Sequence, residues 1–149
     1  MPLKLTIVTA QRTVLEQDGV TKLVVPAAEG QITILPSHAA LMSSLAIGEM
    51  VVTAPGEVVA IAIHGGFIQV AHDEVSVLAD AAETIDQIDL DRAEAARGRA
   101  QSRLEGRDAT LMGGIDVLRA QLSLQRSLTR LRVARRRAGG ATGVPSQRL

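Results

Sequence analysis

The chain has 149 residues, 46% of them hydrophobic and 21% charged, with one aromatic residue, no cysteine and a formal net charge of zero. That length allows one domain or two small ones; the lack of thiols excludes a disulfide framework or a thiolate metal site, and a single Phe argues against base-stacking platforms for single-stranded nucleic acid. No apolar run approaches the roughly 20 residues of a membrane span, and "MPLKLTIVT" lacks the basic-then-apolar plan of a secretory signal, so a soluble intracellular protein is expected.

The first 80 residues read as β-structure. "LKLTIVT" places Leu3, Leu5 and Ile7 in a period of two. "VTKLVVPA" follows the turn signal Asp18-Gly19, and "GQITILP" is stopped by Pro36. "EMVVTA" and "EVVAIAI" flank Pro55-Gly56, and "GFIQVA" and "EVSVLAD" flank His72-Asp73, two hairpin signals. A helical turn near Ala39–Ser43 is the one interruption expected. "HGGF" at 64–67 reads as a tight turn between strands, because Gly permits positive φ where strands reverse. The pattern predicts an N-terminal antiparallel β-sandwich, or flattened barrel, over residues 1–84.

The three histidines, His38, His64 and His72, show no metal-ligand spacing, and no nucleophile elbow or phosphate-binding Gly-rich loop is present. No metal site and no enzyme are expected.

Residues 85–138 read as an antiparallel two-helix hairpin, and 139–149 as a flexible tail. "IDLDRA" at 88–93 returns as "IDVLRA" at 115–120. Asp89 and Asp116 stand where helix N-caps belong, each worth on the order of 1 kcal/mol. The Gly113-Gly114 pair is the expected turn. Lining faces are expected at Leu90, Ala93, Ala100 and Leu104 on the first helix, and at Val117, Ala120, Leu124, Leu128 and Leu131 on the second. With Gly98 inside the first helix and alanines on its face, the hairpin buries little apolar area and can leave a docked position.

The zero net charge hides a split. Residues 1–80 carry a net −5 and residues 81–149 a net +5, the latter from thirteen Arg and no Lys. Arg92, Arg99 and Arg103 are spaced as Arg119, Arg126 and Arg130 are. At about 100° per residue each trio falls within roughly 20° of one line. Arg137 continues the second ridge. Two matching ridges favour an anionic partner, whether nucleotide phosphates, an acidic protein or nucleic acid.

"EGQITILPSHAAL", "HGGFIQV", "VSVLADAAETIDQID" and the repeated helix start, in this order, resemble the epsilon subunits of F-type ATP synthases. The resemblance covers residues 3 to 136. It implies a non-catalytic rotor subunit: a sandwich that binds the gamma subunit and rests on the c-subunit ring, coupling proton flow to ATP synthesis. The hairpin would permit turnover when folded on the sandwich and inhibit ATP hydrolysis when extended towards the catalytic alpha and beta subunits. Arg126, Arg130, Arg132, Arg135, Arg136 and Arg137 would then face acidic segments of beta. No cofactor is required. Regulatory ATP is implied by the family's I/L-D-x-x-R-A motif, matched by Ile88, Asp89, Arg92 and Ala93, with Glu83, Arg99, Arg119, Arg126 and Arg130 at its other nucleotide contacts. Glu29, Gln31 and His38 are the candidate contacts to the rotor ring. Thr33, Gln31 and Ser37 depart from the family's usual Gly, acid and Gly in that loop. The implied location is the cytoplasmic face of a bacterial plasma membrane, with membrane contact only through the complex and no nucleic-acid partner. The alternative is a stand-alone adapter whose basic hairpin binds an acidic protein or nucleic acid.

Overall fold

In a computed structural model, residues 1–105 and 114–140 are described, with side chains for 1–105 and 117–136. Eight strands precede two helices: β1 Leu3–Val8, β2 Thr13–Val20, β3 Lys22–Ala27, β4 Gly30–Ile34, β5 Leu41–Ala54, β6 Glu57–Ala71, β7 Glu74–Ala79, β8 Ala82–Thr84, then α1 Leu90–Leu104 and α2 Gly114–Gly140, with a 3-10 turn at Ile85–Gln87 between strands and helices. The hydrogen-bonded order is β2-β1-β7-β6-β5-β3-β4, and β8 pairs with β6 at Ile61–Ile63, on the same edge as β7. Neighbours are antiparallel except β1 and β7, which run parallel.

The sheet folds into two layers around one core. Leu3, Leu5 and Ile7 enter it from β1, Leu23 and Val25 from β3, Met50 and Val52 from β5, and Ile61, Ile63, Ile68 and Val70 from β6. The inward positions of β6 change parity along the strand: odd at Ile61 and Ile63, even at Ile68 and Val70. Between them lie Gly65 and Gly66 at φ +84° and +122°. "HGGF" is therefore no turn. It is a kink inside one 15-residue strand that lets β6 serve both layers. At Gly66 a Cβ would stand 2.1 Å from the carbonyl oxygen of Leu78, so only Gly fits.

Two other turn expectations also move. Asp18-Gly19 lies inside β2, at a register shift against β1 between Leu3 and Leu5, and so marks a bulge rather than the end of a strand. Leu41–Ser43 begin β5, so no helical turn spans Ala39–Ser43. The two hairpins are where the sequence puts them. His72 and Asp73 both have positive φ, the signature of a two-residue type I′ turn, and Pro55-Gly56 joins Ala54 to Glu57.

Asp89 caps α1, its Oδ1 accepting from the Arg92 N–H at 3.1 Å. Asp116 lies in the first turn of α2 rather than at its cap, because α2 begins at Gly114; its side chain, and Gly113, lie outside the described residues. The helix faces differ from expectation. On α1 only Ala93 and Ala100 are buried, while Leu90 is exposed. On α2 Val117 and Leu128 are exposed, and among the described side chains the buried set is Ala120, Ser127, Thr129, Leu131, Val133 and Ala134. The reason is that α2 packs on α1 and also on β5 and β6, so its apolar stripe must cover two directions.

Candidate functional site

The cross-strand register builds a flat row on the outer face of the sheet. Ala62 of β6 lies opposite Glu49 of β5 on one side and opposite Glu83 of β8 on the other. Opposed residues in a sheet share a face, so two carboxylates flank one alanine. Val133 of α2 is wholly buried on the small-residue floor of Ala60 and Ala62, edged by Ile85 and Ile88. Small side chains there let the helix backbone come close to the strands.

Three residues either side of Val133, α2 carries an arginine for each acid. Arg130 Nη2 lies 2.6 Å from Glu83 Oε1, and its Nε donates to Oε1 and Oε2 at 2.8 and 3.0 Å. Arg136 Nε pairs with Glu49 Oε1, a carboxylate whose side chain is 7% exposed. His64, also on β6 and buried, brings Nε2 to 3.5 Å from Glu83 Oε1, an electrostatic contact more than a formed hydrogen bond. Burial alone would raise the Glu83 pKa; the His64 ring and the Arg130 fork outweigh it and hold the carboxyl at about 2 instead of 4.5.

Beside this pair opens a cleft of about 380 Å³, lined by Glu83, Gln87, Asp89, Arg92, Ala93, Ala96, Arg99 and Arg130. Its volume falls within the range of small-molecule sites. It gathers the guanidinium groups of Arg92, Arg99 and Arg130 along one side of α1, from its N-cap Asp89 to its third turn. Six of the nine nucleotide candidates line it. Ile88 does not; it packs on the Val133 floor. Arg119 and Arg126 are not among the lining residues, so the second arginine ridge enters the cleft only through Arg130. Gln87 and Ala96 are lining residues that the sequence reading missed. Gln87 could have been found: it sits three residues after Thr84, in the capping-box position, and its Oε1 accepts from the Thr84 N–H at 3.0 Å.

The six arginines expected to meet an acidic partner do not share one environment. Arg130 and Arg136 are engaged by the sheet, while Arg132 and Arg135 are exposed and Arg126 half-buried. Arg137 lies outside the described side chains. Of the ring-contact candidates, Glu29 and Gln31 line an open groove of about 600 Å³ with Met42 and Ser44. His38 is not part of that groove; its Nδ1 lies 2.7 Å from the Ala39 carbonyl oxygen. Among the described residues no three His, Asp or Glu side chains converge as metal ligands, and no helix is long and apolar enough to cross a membrane.

The opposite face of the sandwich carries an uncovered apolar patch. Met42, Phe67 and Leu78 are 71%, 58% and 55% exposed, around a cleft of about 470 Å³ that also includes Thr6, Val8 and Ser76.

Residues 2–85 match the family model of the ATP synthase delta/epsilon chain β-sandwich domain, and residues 86–135 match that of its long α-helix domain. The chain is 44% identical over 131 residues to the ATP synthase epsilon chain of Desulfitobacterium hafniense, covering 88% of this chain and 95% of that protein. It is 40% identical over 132 residues to the ATP synthase epsilon chain of Symbiobacterium thermophilum, covering 89% and 92%. Among solved structures, a chain of the Euglena gracilis mitochondrial ATP synthase superposes with a TM-score of 0.74 at 21% identity, covering 89% of this chain and 81% of that one, a likeness of fold.

Proposed function

The chain belongs to the ATP synthase delta/epsilon family, and we propose that it is the epsilon subunit of an F-type ATP synthase central stalk, a non-catalytic rotor component on the cytoplasmic face of a bacterial membrane. The sandwich joins the rotor. Its apolar face at Met42, Phe67 and Leu78 suits the gamma subunit, and the groove at Glu29 and Gln31 suits the ring of c subunits. Proton-driven rotation is transmitted through these two contacts.

The hairpin is the regulated part. The observation that carries this reading is the Arg130–Glu83 fork at the wall of the cleft. One residue thereby belongs both to the docking of α2 and to the arginine cluster. ATP is the ligand that fits. Arg92, Arg99 and Arg130 would hold its phosphates by charge-assisted bonds. Glu83 Oε2, which receives a single N–H at 3.0 Å, keeps acceptor capacity for an adenine amino group. Because the cleft takes residues from β8, α1 and α2, it exists only while the hairpin is docked. Nucleotide therefore stabilises the docked form by mass action. When ATP is scarce α2 is released, and Arg126, Arg130, Arg132, Arg135 and Arg136 become available to acidic segments of the catalytic subunits, which stops ATP hydrolysis.

Calorimetry on the full chain tests this. ATP binding in the millimolar range or tighter, weakened at least tenfold in Arg92→Ala, is expected. Absence of binding at millimolar ATP removes the nucleotide reading.

A further inference from the structure

We infer that Glu49 and Arg136 form a second clamp on α2, outside the nucleotide cleft, which fixes the register of the docked helix and sets how readily it leaves the sandwich. Glu49 and Glu83 are two strands apart, on either side of β6. Two inter-strand spacings amount to about 9.6 Å. Arg130 and Arg136 are six residues apart on one helix, a rise of about 9 Å. The helix thus crosses the strands with its arginine interval matched to the acid interval, and Val133 falls midway onto Ala60 and Ala62.

The match has a competitor in the same helix. Arg126 and Arg132 have the same interval, but their midpoint is Thr129, so a four-residue slip would set a hydroxyl on the alanine floor in place of Val133. The observed register is the one that combines both ion pairs with an apolar midpoint.

The clamp is asymmetric. Glu49 is held inside, whereas the Arg136 side chain is 53% exposed, and Arg136 and Arg132 rim a cleft of about 390 Å³ separate from the nucleotide cleft. Glu49 Oε2 is buried with no hydrogen-bond partner among the described residues. A buried pair of this kind adds little over an uncharged pair of similar volume, yet removing one partner strands a charge and is costly. The carboxylate on β5 therefore acts as a selector. It tolerates α2 only when a guanidinium arrives with it, and it regains hydration when α2 leaves. The inference does not depend on nucleotide binding.

The full chain has no cysteine, so labels at Gln11→Cys and Gln125→Cys, both exposed, report the sandwich-to-α2 distance by electron-spin measurements without nucleotide. Arg136→Gln is expected to raise the undocked-to-docked ratio roughly tenfold. Glu49→Gln/Arg136→Gln is expected to recover most of the docked population, because the stranded charge is gone. Thermal unfolding of the sandwich, unchanged in both, separates loss of docking from loss of fold. A parental distance distribution in Arg136→Gln, or a double variant as open as that single variant, overturns the clamp. If Arg136→Gln opens and millimolar ATP fails to reclose it, the clamp stands and the nucleotide reading falls.

Discussion

Arg130 and Glu83 meet through a fork, with two guanidinium nitrogens 2.6 and 2.8 Å from the same carboxylate oxygen. The partners come from different parts of the architecture, one from the last helix and one from the short strand β8 that pairs with β6. Their bond couples hairpin to sandwich, and it makes docking sensitive to acid.

Glu83 titrates at about 2 in the folded chain against 4.5 ordinarily. The folded state thus binds the proton more weakly than the unfolded one. Its stabilising effect is present above pH 4.5 and is lost as pH falls through about 2, with an upper limit on the order of 3 kcal/mol. In Glu83→Gln the rise of unfolding free energy between pH 2 and 4.5 should flatten. Denaturant titrations across that window measure it; an unchanged slope means Glu83 is not held by Arg130 and His64 in solution.

Two glycine substitutions should act in opposite directions. Gly66→Ala drives a methyl group against the Leu78 carbonyl at a φ of +122°, and a loss of at least about 2 kcal/mol is expected. Gly98→Ala, in the exposed interior of α1 with open space around its Cβ position, should stabilise the hairpin by about 0.5–1 kcal/mol. Thermal unfolding and amide exchange on α1 distinguish the two.

The strands legible in the sequence were those with clean alternation between turn signals, such as Leu3–Val8 and the hairpins at Pro55-Gly56 and His72-Asp73. Strand β2 was not, because Glu16, Gln17 and Asp18 on an edge strand with a bulge break the alternation. The kink at Gly65-Gly66 has the sequence of a turn because a strand that changes its inward parity looks, locally, like two strands. Asp89 was legible as a cap from its neighbours alone. The pairing of Glu49 with Arg136 was not, since a helix docking across three strands joins residues that no local period connects. Its one trace was an acid set among the apolar residues of "IGEMVV".

Asp89 offers a way to separate capping from ligand binding. Its side chain accepts from the Arg92 N–H and also lines the cleft. Asp89→Ala should cost about 1 kcal/mol of helix stability. Asp89→Asn keeps a good cap but removes a charge from the cleft. If the carboxylate takes part in ATP binding, the Asn variant keeps the thermal stability of the parent and changes ATP affinity by calorimetry. Equal affinity in the two proteins would leave Asp89 as a cap alone.

Phe67 gives the sharpest test of the rotor contact. It is the single aromatic residue of the chain, and it stands 58% exposed on the sheet face away from α2, with Leu78 and Ser44 opposite it on the neighbouring strands. An exposed apolar cluster of this kind contributes little to folding, so Phe67→Ser should shift stability by no more than about 0.5 kcal/mol. At an interface core, loss of an aromatic anchor typically costs about 2 kcal/mol or more. Binding of the variant to purified gamma subunit should therefore weaken at least tenfold, while ATP binding in the distant cleft stays as in the parent. Retained gamma affinity in both Phe67→Ser and Leu78→Ser would move the rotor contact to another face of the sandwich.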